Sequence, residues 1–415
     1  MHVAVVGGGL VGLTIVHALL DAGHAVTLVE PGDQVGRPSD GNAGWIAHTD
    51  ILPLASSKAW RHLPRWLADP LGPLTVRPAY LPSIAPWLLR FALASRPAQV
   101  ERGISAIRAI NAGALPAWRR RLEALGLTAR HLRERGQLSV FPDRASARAA
   151  LPLFERQRAL GIRVEALDGA DLREIEPALG PAAQAGALYP EVCHVSDPRL
   201  LGEDLASATR QRGARRLPAR AVALAPDGEG VVVHLADGGR LAADRAVVSA
   251  GAWSKPLAAS LGDRVPLDTE RGYNATLPPG TLGLTRPVMF EGEGFVASPL
   301  DTGDRVGGAV EFAGLEASPN HARTEAMLGK LRRYLPGLPE PLPDGLRWMG
   351  FRPSLPDSLP VIGPAARTPW VVYAFGHAHH GLTQSAITAE IVAALIDGRP
   401  PPVDPAPYAA ARFRR

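Results

Sequence analysis

Residues 3 to 20, VAVVGGGLVGLTIVHALL, constrain the fold more than any other stretch. A secretory signal needs a basic start, and only Met1 and His2 precede the apolar run. A membrane span is excluded by its shortness and by the glycines at 7, 8, 9 and 12. The pattern fits a buried parallel strand at Val3 to Val6, a turn Gly7-x-Gly9-x-x-Gly12, and a helix with apolar positions Ile15, Val16, Leu19 and Leu20 that stops at Gly23. In that reading Gly7 makes the tight turn, Gly9 admits a pyrophosphate to the backbone, and Gly12 lets helix approach strand. Leu10 and Val11 open the helix, whose free N–H groups and positive dipole end suit phosphate. Glycine-rich turns also serve purely steric ends, so the motif alone is weak. A second strand, Ala25 to Val29, strengthens it by ending in Glu30, near the ~20-residue spacing expected of the acid that binds adenosine ribose hydroxyls.

The chain has 415 residues, enough for two or more domains with substantial cores. The net charge of +5 is small and the arginines are scattered, which argues against nucleic acid as a partner. Only Lys58, Lys255 and Lys330 supply lysine, a compositional bias rather than a basic patch. Cys193 is the single cysteine, which excludes internal disulfides and cysteine-rich metal or iron–sulfur centres. No run of ~18 apolar residues predicts a transmembrane segment. The expected location is the cytoplasm. Residues 80 to 93, YLPSIAPWLLRFAL, with Trp60 and Trp66 upstream, offer the alternative of peripheral contact at the inner membrane against packing in the core or over the substrate pocket.

Downstream, residues 33 to 55 interrupt the βαβ pattern with a polar loop suited to cover a cofactor. Residues 97 to 135 read as helical, Gly136 to Asp143 as a strand, and Leu200 to Arg210 as a helix. Val231 to Leu235 alternate, Asp237-Gly238-Gly239 supply a turn, and Ala246 to Ser249 return to a buried strand. Arg305 to Phe312 predict another strand. A helix starts near Leu382, where Ile387, Ile391 and Leu395 recur every four residues, and Gly398 ends it.

These motifs together resemble the FAD-dependent D-amino acid dehydrogenase family, within the D-amino acid oxidase and sarcosine oxidase group. The resemblance rests on VVGGGLVGL with Glu30, GNAGWIA (41–47), SAGAWS (249–254), ERGY (270–273), GFRPSLPDSLPVIG (350–363) and GHAHHGLT (376–383), in the family's order along the whole chain. It implies an α/β, two-lobed FAD-dependent oxidoreductase, with a Rossmann-like FAD domain and an α+β substrate domain built on an antiparallel sheet. The FAD domain is expected at 1–75, 191–265 and 347–415, and the substrate domain at 76–190 and 266–346. The implied activity is oxidation of a D-amino acid, D-proline and hydroxy-D-proline included, to an imino acid by hydride transfer from the α-carbon to flavin N5. Electrons then pass to a quinone or other acceptor.

The resemblance also implies site residues. Arg352, held extended by Pro353, presents a planar fork to the substrate carboxylate. Tyr273 adds a second hydrogen bond to that carboxylate, and Arg271 is structural. Asn42, Ala43 and Gly44 wrap the ribityl and ring portions of FAD, with Trp45 and His48 near the substrate. Ala221 meets the adenine through its backbone, and Gly251 belongs to the cofactor wall. Gly376, His380, Gly381, Leu382 and Thr383 face the flavin pyrimidine edge, where the helix dipole favours negative charge. Which of His377, His379 and His380 lines the substrate pocket stays open, with His379 taken as the catalytic candidate. No metal is expected, because no acidic ligand neighbours these histidines in the sequence. Relatives with covalent flavin use a cysteine, and Cys193 in YPEVCHVSDP matches no such motif, so FAD is expected to be noncovalent. An oxygen-using oxidase of glycine or sarcosine type, and a non-catalytic flavin subunit of a larger complex, are the alternatives.

Overall fold

The opening apolar run builds the middle of a sheet. In the computed structural model, which describes residues 1–32, 38–56, 71, 72 and 74–414, β1 (His2–Val6) leads through the glycine turn into α1 (Leu10–Asp21) and then β2 (Ala25–Val29). Val3, Ala4 and Val5 are fully buried, as a strand covered on both faces requires. The sheet order is Arg215–Leu217, β2, β1, Arg245–Val248, Thr368–Phe375, Val361–Ala365, with all neighbours parallel except the last pair. One face carries α1 and α2 (Gly381–Ile396), tied where Thr14 Oγ1 donates to the Ser385 carbonyl at 3.0 Å. The expected hairpin is three-stranded, because Ala221–Asp227 joins Gly230–Leu235 and Arg240–Ala243.

A second, nine-stranded sheet forms the other lobe. Its edge is β3 (Asp268–Leu277), β4 (Gly303–Phe312) and β5 (Leu346–Ser354), with β3 central and antiparallel to both neighbours. The register sets Glu270 opposite Arg352 and Gly272 opposite Gly350. The Leu74–Val76 strand pairs with β4, and β5 carries the large sheet to Ser354. Ala185–Tyr189 belongs to the same sheet as β3.

Residues 81–94 are helical and only Ile84 and Trp87 are buried, the indole packing on Phe312 with ring centres 5.0 Å apart. Leu89 is 64% exposed and Leu81 and Leu93 are exposed beside it, so the segment lies over the sheet's edge with an apolar outer side. Trp60 and Trp66 lie outside the described residues. Among the described residues no helix is long and apolar enough to cross a membrane.

Candidate cofactor and substrate site

A cavity of about 700 Å³ runs from the glycine turn, between the two sheets, to the face of β3 and β5. At its nucleotide end the glycines divide by role. Gly7 has φ +107°, and a Cβ there would stand 2.5 Å from the Ser249 carbonyl oxygen. A Cβ on Gly12 would stand 1.8 Å from the Gly7 carbonyl oxygen, so this position packs helix on turn and does not line the cavity. Gly9 has no such crowding: the nearest atom to its Cβ is Ser39 Oγ at 3.4 Å. Its bare surface faces the cavity, a cradle that any side chain would fill. Leu10 and Val11 line the cavity beside it. Glu30 accepts the Gly8 N–H at 2.8 Å, and its buried carboxylate shares the wall with Ala221 and Gly251. These residues fit a dinucleotide diphosphate and its ribose.

The middle of the cavity is walled by Asn42 and Ala43 on one side and by Gly376, Gly381, Leu382 and Thr383 on the other. Asn42 Oδ1 accepts the Gly44 N–H at 2.8 Å, a local turn that leaves Gly44 behind the wall. Arg305 of β4 donates to the Asn42 carbonyl at 2.7 Å and pairs with buried Asp197 at 3.2 Å, which ties the loop to the large sheet. Thr383 fixes the far end, its Oγ1 accepting the Ala47 N–H at 2.9 Å. Trp45 lines the cavity and donates its indole N–H to Ser298, whereas His48 is turned out of it onto its own backbone. Cys193 is buried in a small strand and does not reach the cavity.

At the substrate end the period of two along β3 puts Glu270, Gly272 and Asn274 on the cavity side. Arg352 projects from β5 over Gly272: a Cβ on that glycine would lie 2.4 Å from the guanidinium carbon. The guanidinium opens to the cavity and makes no hydrogen bond or close ion pair with any described residue. Burial depresses its pKa while Glu270, opposite on β3, acts in the other direction. Burial also raises the pKa of Glu270, whose carboxyl accepts the Ser354 hydroxyl. The arginine thus stays cationic with its donors unclaimed.

Tyr273 requires a correction. Its hydroxyl donates to Glu311 Oε2 at 2.6 Å and accepts the Asn320 N–H at 3.1 Å, on the side of β3 away from Arg352. It is 1% exposed in the core of the large sheet, so only its backbone borders the cavity, and it is not available as a carboxylate ligand. Arg271 is structural as expected, donating to the Gly314 and Ala317 carbonyls.

The three histidines separate. His377 lines the cavity with Nε2 at 3.0 Å from Thr388 Oγ1, and burial lowers its pKa to about 3. His379 faces the substrate end, and burial, then His380 and Arg352, hold it well below its ordinary value and neutral. His380 is behind the wall rather than on it, a second correction, with its pKa lowered by burial to about 4. A third concerns acidic neighbours. The fold carries Asp50 to this turn, with a carboxylate oxygen and nitrogens of His379 and His380 within 4.8 Å of one another. Sequence reasoning also missed Gly272, Asn274 and Trp348 as wall residues; only the strand period around ERGY offered a signal.

The chain matches the family described as FAD dependent oxidoreductase (DAO) over residues 2–395. It is 37% identical to the D-amino-acid oxidase of Bradyrhizobium diazoefficiens, covering 99% of each chain. It is 32% identical to the D-amino acid dehydrogenase of Dechloromonas aromatica over 97% of this chain and 98% of the relative. Among solved structures, glycine oxidase from Geobacillus kaustophilus shares the fold with a TM-score of 0.75 at 22% identity, covering 99% of this chain and 98% of that one. The family match over nearly the whole chain and these similarities, together with the glycine cradle, establish that the chain belongs to the DAO family of FAD-dependent oxidoreductases.

Proposed function

We propose that the protein oxidises D-amino acids at the α-carbon, giving an imino acid that water converts to a keto acid and ammonia. The observation that carries this reading is Arg352: a half-buried, unpaired, planar cation opening into the same cavity as the glycine cradle. Its two parallel donors match a carboxylate and hold the amino acid in one orientation. Bound FAD supplies the two-electron acceptor for the α-hydrogen. Gly272 leaves room for the guanidinium, and Glu270 opposite keeps it from turning away. Neutral His379 accepts a hydrogen bond from the substrate amine without adding a second cation beside Arg352. Asn42, Ala43, Trp45 and Leu382 exclude water from the middle of the cavity.

In this reading FAD is held without a covalent bond, electrons leave to a quinone or similar acceptor, and the protein works in the cytoplasm or against the inner membrane through the exposed side of residues 81–94. The D-stereochemistry is supported by the names of the two sequence relatives. The test is anaerobic titration of the flavin spectrum with D- and L-amino acids, with D-proline and hydroxy-D-proline as compact members and sarcosine and glycine as controls. Bleaching by the D series supports the reading. Bleaching by sarcosine or L-amino acids alone, or by no amine, refutes it. Turnover with a dye but without peroxide formation distinguishes dehydrogenase from oxidase, and colour that leaves with the acid supernatant verifies noncovalent FAD.

A further inference from the structure

Strand alternation sorts the large sheet into two faces. Tyr273, Phe290, Phe295 and Val306 enter the core of its lobe, while Asn274, Met289, Val296 and Gly307 line the cavity. Register sets the second group in one row across the strands. Asn274 of β3 stands opposite Trp348 of β5 on one side and Gly307 of β4 on the other. Gly307 stands opposite Val296 of the Phe295–Leu300 strand, and Val296 opposite Met289 of the Val288–Phe290 strand. Arg352 leans over Gly272, two residues from Asn274 on the same face of β3, so a carboxylate held by the guanidinium leaves the rest of an amino acid at the near end of this row.

Three of the four directions along this face are taken. Toward β5 the Trp348 indole lies across Gly350 and Gly41, where a Cβ would stand 2.0 and 2.3 Å from its ring atoms. Along β3 Glu270 stands at one end, and at the other Asn274 Nδ2 donates to the Gly41 carbonyl at 2.9 Å and holds that loop on the sheet. The way across β4 is open. Among the described residues a Cβ on Gly307 would meet only Asn274 Cβ at 3.2 Å and the Tyr273 carbonyl oxygen at 3.8 Å, and the backbone there is not left-handed, so neither strain nor packing demands the glycine. Gly308 next to it differs, since its Cβ would stand 2.3 Å from the Gly294 carbonyl oxygen. Beyond Gly307 the row ends on the half-buried apolar side chains of Val296 and Met289. With strands about 4.8 Å apart, Val296 is roughly 10 Å from β3, the reach of an extended side chain whose α-carbon lies over Gly272. We infer that Gly307 is a specificity-determining residue: its bare surface is the lane through which the substrate side chain crosses β4 to Val296 and Met289, so the site favours D-amino acids with long apolar side chains. The inference rests on the proposed oxidation of D-amino acids with Arg352 as carboxylate anchor and adds where the side chain lies.

The experiment compares kcat/KM of the FAD-loaded enzyme, with a dye acceptor, for D-alanine, D-norleucine and D-lysine, which share the anchored end and differ in side-chain length and terminal charge. The expected result for the parent is at least a tenfold preference for D-norleucine over each of the other two. Gly307→Val, a residue suited to a strand, should lower D-norleucine at least tenfold, mainly through KM, and leave D-alanine within threefold of the parent. An equal loss on D-alanine and D-norleucine makes Gly307 a residue of the fold and overturns the inference, as does undiminished D-norleucine turnover in a folded variant. A parent enzyme that turns over D-alanine or D-lysine as well as D-norleucine overturns it too, a readout independent of how the variant folds. Flavin bleached by D-amino acids without that preference defeats only this inference; flavin bleached by no D-amino acid defeats the proposed function as well.

Discussion

Replacing Gly272 with alanine moves one functional group and leaves the fold intact. The added Cβ would stand 2.4 Å from Arg352 Cζ, 2.5 Å from Nη2 and 2.8 Å from Nε. Ordinary carbon contacts need about 3.5–4.0 Å, so the guanidinium must retreat by roughly 1–1.5 Å into the space the carboxylate takes. Gly272 has no left-handed backbone, and alanine in a strand restricts the unfolded chain, so stability should stay within about 1 kcal/mol of the parent. A misplacement of that size in an orienting group costs on the order of 10²-fold in rate, about 2.7 kcal/mol of barrier. Stopped-flow reduction of the flavin by a D-amino acid measures the rate, with FAD content and melting temperature as controls. Gly272→Ala that reduces at the parental rate would refute the clamp, whereas loss of FAD or of the fold would show that the glycine serves packing.

Arg352→Ala should retain FAD and lose at least about 10²-fold in kcat/KM for any substrate with a carboxylate, and undiminished turnover would remove the arginine from the binding role. Gly9→Val should fold with an unchanged melting temperature without cofactor yet fail to hold FAD, since its side chain would enter open cavity; a fully yellow variant would contradict the cradle. Gly12→Val should instead prevent folding, because its Cβ falls 1.8 Å from the Gly7 oxygen, and soluble protein melting like the parent would dismiss that packing role. His17 and His194 are buried and held neutral, each with its pKa lowered from 6.5 to about 4. The unfolded chain therefore takes up protons before the native one does, so stability should be lost as pH falls from about 6.5 toward 4, by up to ~1.4 kcal/mol per pH unit for each group. Calorimetry in a pH series showing a flat melting temperature from 7 to 5 would contradict this.

The nucleotide end of the site was legible because its requirements are local: a strand, three glycines and an acid within one βαβ unit. The substrate end was not, because it is assembled by register. Arg352 meets Gly272 only because β5 runs antiparallel to β3 with Glu270 opposite Arg352, and nothing in either segment states that pairing. Tyr273 was misjudged for the same reason: adjacent to Gly272 in the chain, it points to the opposite face, where Glu311 engages it. His379 and His380 differ by one step in a short 3₁₀ turn, which decides which of them lines the cavity. Asp50 comes from the loop after Trp45–Ile46, too far along the chain for sequence spacing to connect it with those histidines.

The helix that opens on the phosphate cradle has its packing partner far downstream. Helix α1 is sealed along one side by α2, through Thr14 to Ser385 and a shared apolar seam, and the sheet beneath it takes its fourth to sixth members from residues 245–248, 368–375 and 361–365. The first 240 residues hold the whole glycine fingerprint and none of the three strands that complete that side of the sheet. The motif at the start of the chain thus takes its covering helix and the strands on that side of β1 from far downstream, and a chain shortened before residue 381 would carry the fingerprint without the helix that packs on it.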